Sequence, residues 1–193
     1  MKKFYPLYPG ARYESDWFNG TVPQNIIAGE NTVVDSSNCF KNYHSQLEVG
    51  LRVGSHVTLW RTSLAAEEGG MIEIGDYCYI ANASLVCSQK IKIGSRVFIA
   101  GGVTIADSDF HPVDPLKRLE DIIALSPVGD RSRRPEVDCA AVIIEDDAWI
   151  GMNATILKGV TVGRGAVIEP GSLVVKDVLP GQRVSGNPAK PVL

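Results

Sequence analysis

Three histidines occur in the 193 residues, His44, His56 and His111, and one of them stands in a setting suited to proton transfer. His111 lies in Asp107-Ser108-Asp109-Phe110-His111-Pro112-Val113, close to two carboxylates and just ahead of a proline. An imidazole titrates near neutrality, so it can take a proton from a hydroxyl or amine as that group attacks an acyl carbon. Asp109 or Asp107 could hold the other ring nitrogen, fixing the tautomer and raising basicity; the plainer reading is a loop histidine that caps a turn. His44 and His56 fall in irregular sequence and read as structural or surface residues. Further along, Arg131, Arg133 and Arg134 offer guanidinium forks that suit phosphates, or form a charged loop tip with Asp130 and Glu136.

The elements that must position these groups are written in a period of six. Ile144, Ile150, Ile156, Val162, Ile168 and Val174 form an unbroken ladder, and Ala148, Ala154, Val160, Ala166 and Ser172 fall four residues after its members. The pattern recurs at Ile74, Ile80 and Val86, at Ile93, Ile99 and Ile105, and more loosely at Ile27 and Val33 and at Val53 and Leu59. Six is neither the period of an amphipathic helix nor that of a sandwich strand. It predicts a parallel β-helix, in which each repeat buries its apolar face by stacking on its neighbours. Three such units make one triangular turn with the β-branched side chain inward, where its stiff χ1 suits an extended backbone. Glycines after the ladder, as in Ile74-Gly75 and Ile93-Gly94, are expected where the corner backbone is awkward.

The ladder breaks between Ile105 and Ile144, and residues 107–141 form an inserted arm. Repeat proteins place function at such interruptions. Within it, Asp114 as N-cap, Pro115 at the first helical position, and Leu116, Leu119, Ile122 and Ile123 on one face predict a short helix. Residues 1–25, rich in tyrosine, proline and glycine with Trp17, are expected to form a cap, so the chain reads as one domain over residues 1–193. A net charge of −3 and the lack of a long basic run give no reason to expect nucleic acid. No run approaches a membrane-spanning length, and the first residues do not resemble a leader. Cys39, Cys78, Cys87 and Cys139 have no CxxC spacing, so they read as small core or near-core thiols in a reducing cytoplasm.

The ladder, the interrupting segment with His111, Ala148-Trp149-Ile150-Gly151-Met152-Asn153-Ala154, and the ending Ser185-Gly186-Asn187-Pro188-Ala189-Lys190 together resemble the left-handed β-helix acyltransferases. The likeness is greatest to the galactoside, maltose and polysaccharide-biosynthesis O-acetyltransferases. It implies an all-β left-handed parallel β-helix, an exception to the right-handed crossover rule, assembled as a homotrimer with sites between subunits. It also implies acetyl-CoA as co-substrate, a small sugar-type acceptor, direct transfer without an acyl-enzyme, and no metal. By position His111 matches the catalytic histidine, with Asp109 stabilising the imidazolium. Asn82 is a donor to an acceptor hydroxyl, or equally a turn cap. Trp149 matches the tryptophan lining the coenzyme cleft, and Lys176 and Lys190 match phosphate contacts. Backbone amides at glycine corners such as Gly151 would meet the pantetheine arm, and one near Gly101 or Gly102 would serve the oxyanion. Two departures stand out: Ser88 occupies the place of an acceptor-binding aspartate, and residues 1–25 do not look like the helical N-terminus of the galactoside and maltose enzymes.

Three rival readings follow from the same residues. The zinc-dependent γ-class carbonic anhydrases share this fold, but their ligand set needs two closely spaced histidines, which His44, His56 and His111 do not supply. An N-acetyltransferase acting on an amino sugar or nucleotide-sugar keeps the chemistry and changes the nucleophile. A catalytically inactive hexapeptide scaffold keeps only the fold.

Overall fold

The computed structural model describes residues 4–192; residues 1–3 of the expected cap, and residue 193, lie outside the described residues. The chain opens with β1 (Tyr5–Pro6) and starts to coil at β2 (Ile26–Ala28) and β3 (Val33–Val34), with a 3-10 turn at Ser37–Phe40 as the third side. The next turns are β4 (Leu51–Val53), β5 (Thr58–Trp60) and β6 (Ser63–Ala66), then β7 (Met71–Ile74), β8 (Tyr79–Ala81) and β9 (Ser84–Cys87). β10 (Lys90–Ile93), β11 (Phe98–Ile99) and β12 (Thr104–Ala106) complete another, before an insertion carrying α1 (Pro115–Leu125). Coiling resumes at β13 (Val142–Ile144), β14 (Trp149–Ile150) and β15 (Thr155–Ile156), and continues through β16 (Thr161–Val162), β17 (Val167–Ile168) and β18 (Leu173–Val174). β19 (Arg183–Gly186) and β20 (Ala189–Pro191) close the stack as an antiparallel pair.

Every third strand stacks on its counterpart, so the chain forms three sheets. The first runs β1-β3-β5-β8-β11-β14-β17-β19-β20, the second β16-β13-β10-β7-β4-β2 and the third β18-β15-β12-β9-β6. All pairings are parallel except at the two ends of the first sheet. The register explains the six-residue period. Val53, Ile74, Ile93, Ile144 and Val162 stack in the second sheet, and Leu59, Ile80, Ile99, Ile150 and Ile168 in the first. Leu64, Leu85, Ile105, Ile156 and Val174 stack in the third, and all of these side chains are buried.

Three ladder positions are corrected. Ile27, Val33 and Val86 are not the inward residues; Ile26, Val34 and Leu85 are, and Ile27 is 43% exposed. In an extended chain the two faces alternate, so a slip of one residue exchanges inside for outside. The corner after Ile80 is one residue short of the strict count, so the inward position is Leu85, and in the first turn the register partners of Val53 and Leu59 are Ala28 and Val34.

The role of the corner glycines also differs from expectation. Gly75 and Gly94 do not have positive φ; the positive angles at that corner belong to His56, Tyr77, Arg96 and Asp147. A Cβ on Gly75 would lie 2.7 Å from the Ser95 nitrogen, and one on Gly94 2.6 Å from the Asp146 nitrogen. Glycine is required there by the approach of the next turn's backbone. The same corner is laced vertically: Asp76 Oδ1 accepts from Ser55 N–H (2.7 Å), Ser95 Oγ from Asp76 N–H (3.0 Å) and Asp146 Oδ1 from Ser95 N–H (2.9 Å).

The N-terminal segment packs as a cap without a helix among its described residues. Tyr5 stacks on Tyr13 at 4.5 Å, and buried Asp16 accepts from Ser36 Oγ (2.7 Å) and Ser37 N–H (2.9 Å). Cys39, Cys78 and Cys87 are buried free thiols, as expected, and Cys139 is half-buried. No helix among the described residues is long and apolar enough to cross a membrane. Ile150 lies in register between Ile99 and Ile168 with no exposed surface. Ile150→Ala should therefore destabilise the chain by about 2–5 kcal/mol in denaturant unfolding; a loss below about 0.5 kcal/mol would contradict a close-packed interior.

Candidate active site

The insertion leaves the third sheet at Ala106 and returns to the second at Val142. Its first residues make a tight turn. Phe110 has φ +63°, and the His111 N–H donates to the Asp109 carbonyl at 2.7 Å. Positive φ at a bulky residue is uncommon and is sustained only where the surroundings dictate it. The helix that follows is the expected one: Asp114 accepts from the N–H groups of Leu116 and Lys117, both at 3.0 Å, and Pro115 opens the first turn.

The helix turns its apolar face away from its own chain. Leu116, Leu119, Ile122 and Ile123 are exposed, while Asp121 and Ala124 are the buried positions. Asp121 faces the protein because its carboxylate is fully used there. Oδ2 lies 2.6 Å from His111 Nδ1, and Oδ1 accepts from Arg134 Nε at 2.8 Å. Arg134 also reaches Glu67 Oε1 at 3.3 Å and the Phe110 carbonyl at 3.4 Å. One guanidinium thereby joins the helix, the histidine turn and a lower corner of the prism.

Asp109 and Asp107 do not hold the ring. Asp109 pairs with Lys158 at 2.6 Å, because the turn at Phe110 directs it toward the coil above. Asp107 is buried and accepts the N–H groups of Ser88 (2.6 Å), Gln89 (2.8 Å) and Lys90 (2.7 Å), which fixes the corner below. Arg134 is a half-buried ion-pair partner and not part of a loop tip, whereas Arg131 and Arg133 are exposed. The Asp121 and Arg134 roles were not anticipated. The available signal was a carboxylate on the helix face opposite the apolar stripe.

The arrangement keeps Asp121 ionised beside His111. Burial by itself would raise the Asp121 pKa, but the hydrogen bonds and charges of Arg134 and His111 outweigh it and hold the carboxyl below its ordinary value. An ionised Asp121 can only accept, so it fixes the proton of the neutral ring on Nδ1 and leaves Nε2 unprotonated. The His111 side chain is 54% exposed. A cleft of about 1200 Å³ has Phe110, Arg134, Ser88, Ser108 and His44 among its walls, and His111 is not one of its lining residues.

The other expected site residues are dispersed over one chain. Lys176 follows β18 at the corner two turns above the start of the insertion and is exposed. Asn82, Gly102 and Gly151 follow β8, β11 and β14, at the corner between the first and third sheets. The Gly102 N–H already donates to the Asn82 carbonyl at 2.8 Å, so it is corrected as an oxyanion donor. A Cβ on Gly151 would lie 2.6 Å from the Pro170 nitrogen, so that glycine serves a close backbone approach. Trp149 is 37% exposed on the first sheet, in register with Phe98, and Lys190 is exposed on β20. His56 stacks on Tyr77 at 4.7 Å and is exposed, away from the insertion.

Residues 141–176 match the family described as bacterial transferase hexapeptide (six repeats). These coils carry the repeat of the hexapeptide transferases, and the chain has acetyltransferase homologues. It is 36% identical over 124 residues to the Saccharomyces cerevisiae protein named "Putative acetyltransferase YJL218W", a match spanning 63% of this chain and 55% of that one. It is 57% identical over 49 residues to a Staphylococcus aureus tetrahydropyridine dicarboxylate N-acetyltransferase, spanning 25% of this chain and 20% of that one. The chain thus spans about half or less of the length of these relatives. Among solved structures, a hexapeptide-repeat acetyltransferase of Vibrio cholerae complexed with acetyl coenzyme A has a TM-score of 0.58 at 27% identity, covering 80% of this chain and 73% of that one. An N-acyltransferase of Bacillus cereus in complex with dTDP and 3-hydroxybutyryl-CoA shares the fold, with a TM-score of 0.63 at 17% identity and coverage of 87% and 82%. The likeness is consistent with left-handed winding.

The Asp121 carboxyl is held below its ordinary value, so it contributes stability that is complete above the ordinary carboxylate range and is lost as pH falls through the folded value. Arg134→Ala leaves Asp121 buried with one partner removed. It should loosen α1 by about 1–3 kcal/mol, read as faster amide exchange in residues 115–125. Unchanged exchange there would show that the ion pair does not anchor the helix.

Proposed function

We propose that this chain transfers an acetyl group from acetyl-CoA to a hydroxyl of a sugar or polysaccharide precursor, with His111 as general base. The observation that carries this reading is the buried Asp121 carboxylate 2.6 Å from Nδ1 of the half-exposed His111. His111 Nε2 takes the acceptor proton as oxygen bonds to the acyl carbon. The carbon–sulfur bond then breaks, and the coenzyme leaves as a thiol carrying a proton. Asp121, in place of Asp109, stabilises the imidazolium between these steps. Holding both substrates replaces a bimolecular encounter with a fixed geometry. Acetyl-CoA as co-substrate is supported by the acetyl-CoA complex of the Vibrio cholerae relative. An amine acceptor is the second reading, supported by the short match to the Staphylococcus aureus N-acetyltransferase.

The site is completed in a homotrimer in this account. Asn82, Trp149, Gly151 and Lys190 lie on faces away from His111 in one chain, so a neighbouring chain would bring coenzyme and acceptor contacts to it. The exposed apolar stripe of α1 supports an assembly that covers it, with the insertion as an arm over the neighbour.

A thiol-release assay with acetyl-CoA against sugars, amino sugars and nucleotide-sugars tests the reading. His111→Ala should lose about 10²–10⁴-fold in acceptor-dependent turnover while keeping coenzyme affinity; near-normal turnover overturns the assignment. Leu119→Glu combined with Ile123→Glu should convert a three-chain mass in sedimentation to that of one chain. A wild-type protein that sediments as a monomer contradicts the shared site.

A further inference from the structure

Asp121 has no exposed surface, and two groups answer its charge: Arg134 Nε at 2.8 Å and His111 Nδ1 at 2.6 Å. Arg134 comes from the returning half of the insertion and is largely covered. Its outer contacts are looser. Glu67, at the corner after β6, is exposed and 3.3 Å away, and the Phe110 carbonyl lies at 3.4 Å. Exposed ion pairs contribute little, so the charge of Arg134 acts chiefly on Asp121.

The other charges around the histidine turn are engaged elsewhere or face solvent. Asp109 is paired with Lys158, which also holds Asp138, and Asp107 is spent on three backbone N–H groups. On α1, Arg118 donates to the Pro112 and Val113 carbonyls, while Lys117 and Glu120 are exposed. In the 3-10 turn packed against α1, Arg131 and Arg133 are exposed and Asp130 caps Ser132 N–H. Glu68, Glu136 and His44 line the cleft with Arg134 and are exposed. Among the described residues, Arg134 is the one lysine or arginine bonded to the Asp121 carboxylate.

We propose that Arg134 is a positioning residue of the transfer reaction, its charge holding the Asp121–His111 pair in the form that can accept a proton at neutral pH. The proposal rests on the reading of His111 as base. That form has an ionised carboxylate beside a neutral ring, and its net charge is negative. One more proton makes the pair neutral in sum, either as imidazolium beside carboxylate or as a carboxyl group donating to Nδ1 of a ring protonated on Nε2. Neither of these has a lone pair on Nε2. Burial penalises net charge and so favours the neutral pair; a cation 2.8 Å from the carboxylate reverses the preference. A neutral donor in place of Arg134 would still dock α1, but it would not supply the charge.

The test is an NMR titration of the histidine rings in the full chain without substrates, with His111 assigned by its loss in His111→Gln. In Arg134→Gln the pair should take up its proton about one pH unit higher than in the wild type, and Arg134→Lys, which keeps the charge, should stay close to the wild type. Methylguanidinium should draw the titration of Arg134→Ala back toward the wild type, whereas urea, similar in shape and uncharged, should not. An unmoved titration in Arg134→Gln overturns the inference, as does an Arg134→Lys that moves equally far or a rescue by urea. In the thiol-release assay, Arg134→Gln should lose about tenfold in kcat/KM at neutral pH and regain it at higher pH; an anchoring role alone would lower turnover equally at every pH. A moved titration with no matching movement of the acid limb of kcat/KM would remove His111 as the base and leave the control of the pair by Arg134 standing.

Discussion

No strand among the described residues is long enough to stand by itself. Most have two to four residues, and each contributes one or two inward side chains. Burial comes only from the turn above and the turn below, so the stacking of Val53, Ile74, Ile93, Ile144 and Val162, with its counterparts on the other two sheets, is the constraint on which everything else depends. It sets the six-residue period, it requires glycine where the backbones approach at Gly75 and Gly94, and it confines irregular chain to corners and ends. A site on such a prism must be assembled from whatever leaves a corner.

The insertion does this with one buried carboxylate. Asp121 accepts from Arg134 and holds His111, and Arg134 in turn reaches Glu67 and the Phe110 carbonyl. A buried charge is tolerated where its hydrogen bonds are complete, and removing either partner leaves an uncompensated ion. The same contact that docks α1 on the prism therefore orients the imidazole. It also turns the helix over, so that Leu116, Leu119, Ile122 and Ile123 face outward, although a helix of this pattern would ordinarily bury that stripe on its own domain.

Much of the fold was legible because a period of six has few physical interpretations. From Ile93 onward the ladder residues are the inward ones. Ile27 and Val33 each fall one residue short of Ala28 and Val34, which stack in register with Val53 and Leu59, and Val86 falls one past Leu85 because the corner after Ile80 is one residue shorter than the count of six assumes. The helix was legible from Asp114 and Pro115, because capping is local chemistry. The partner of His111 was not. Sequence proximity favoured Asp109 and Asp107, but Asp109 is claimed by Lys158 and Asp107 by three backbone N–H groups. Asp121 comes near only after the helix has folded back. Trp149 could be placed on its strand from the unbroken repeat, whereas the corner of Asn82 depends on how the early turns are counted.

The measurement that bears most directly on the account is the tautomer of His111, read from long-range proton–nitrogen NMR of the imidazoles at a pH where the ring is neutral. With three histidines in the chain, a His111→Gln comparison assigns the signal. The account predicts a proton on Nδ1, held by Asp121, and an unprotonated Nε2 free to act as base. A neutral His111 carrying its proton on Nε2 would contradict it, because that nitrogen could then accept nothing from a substrate.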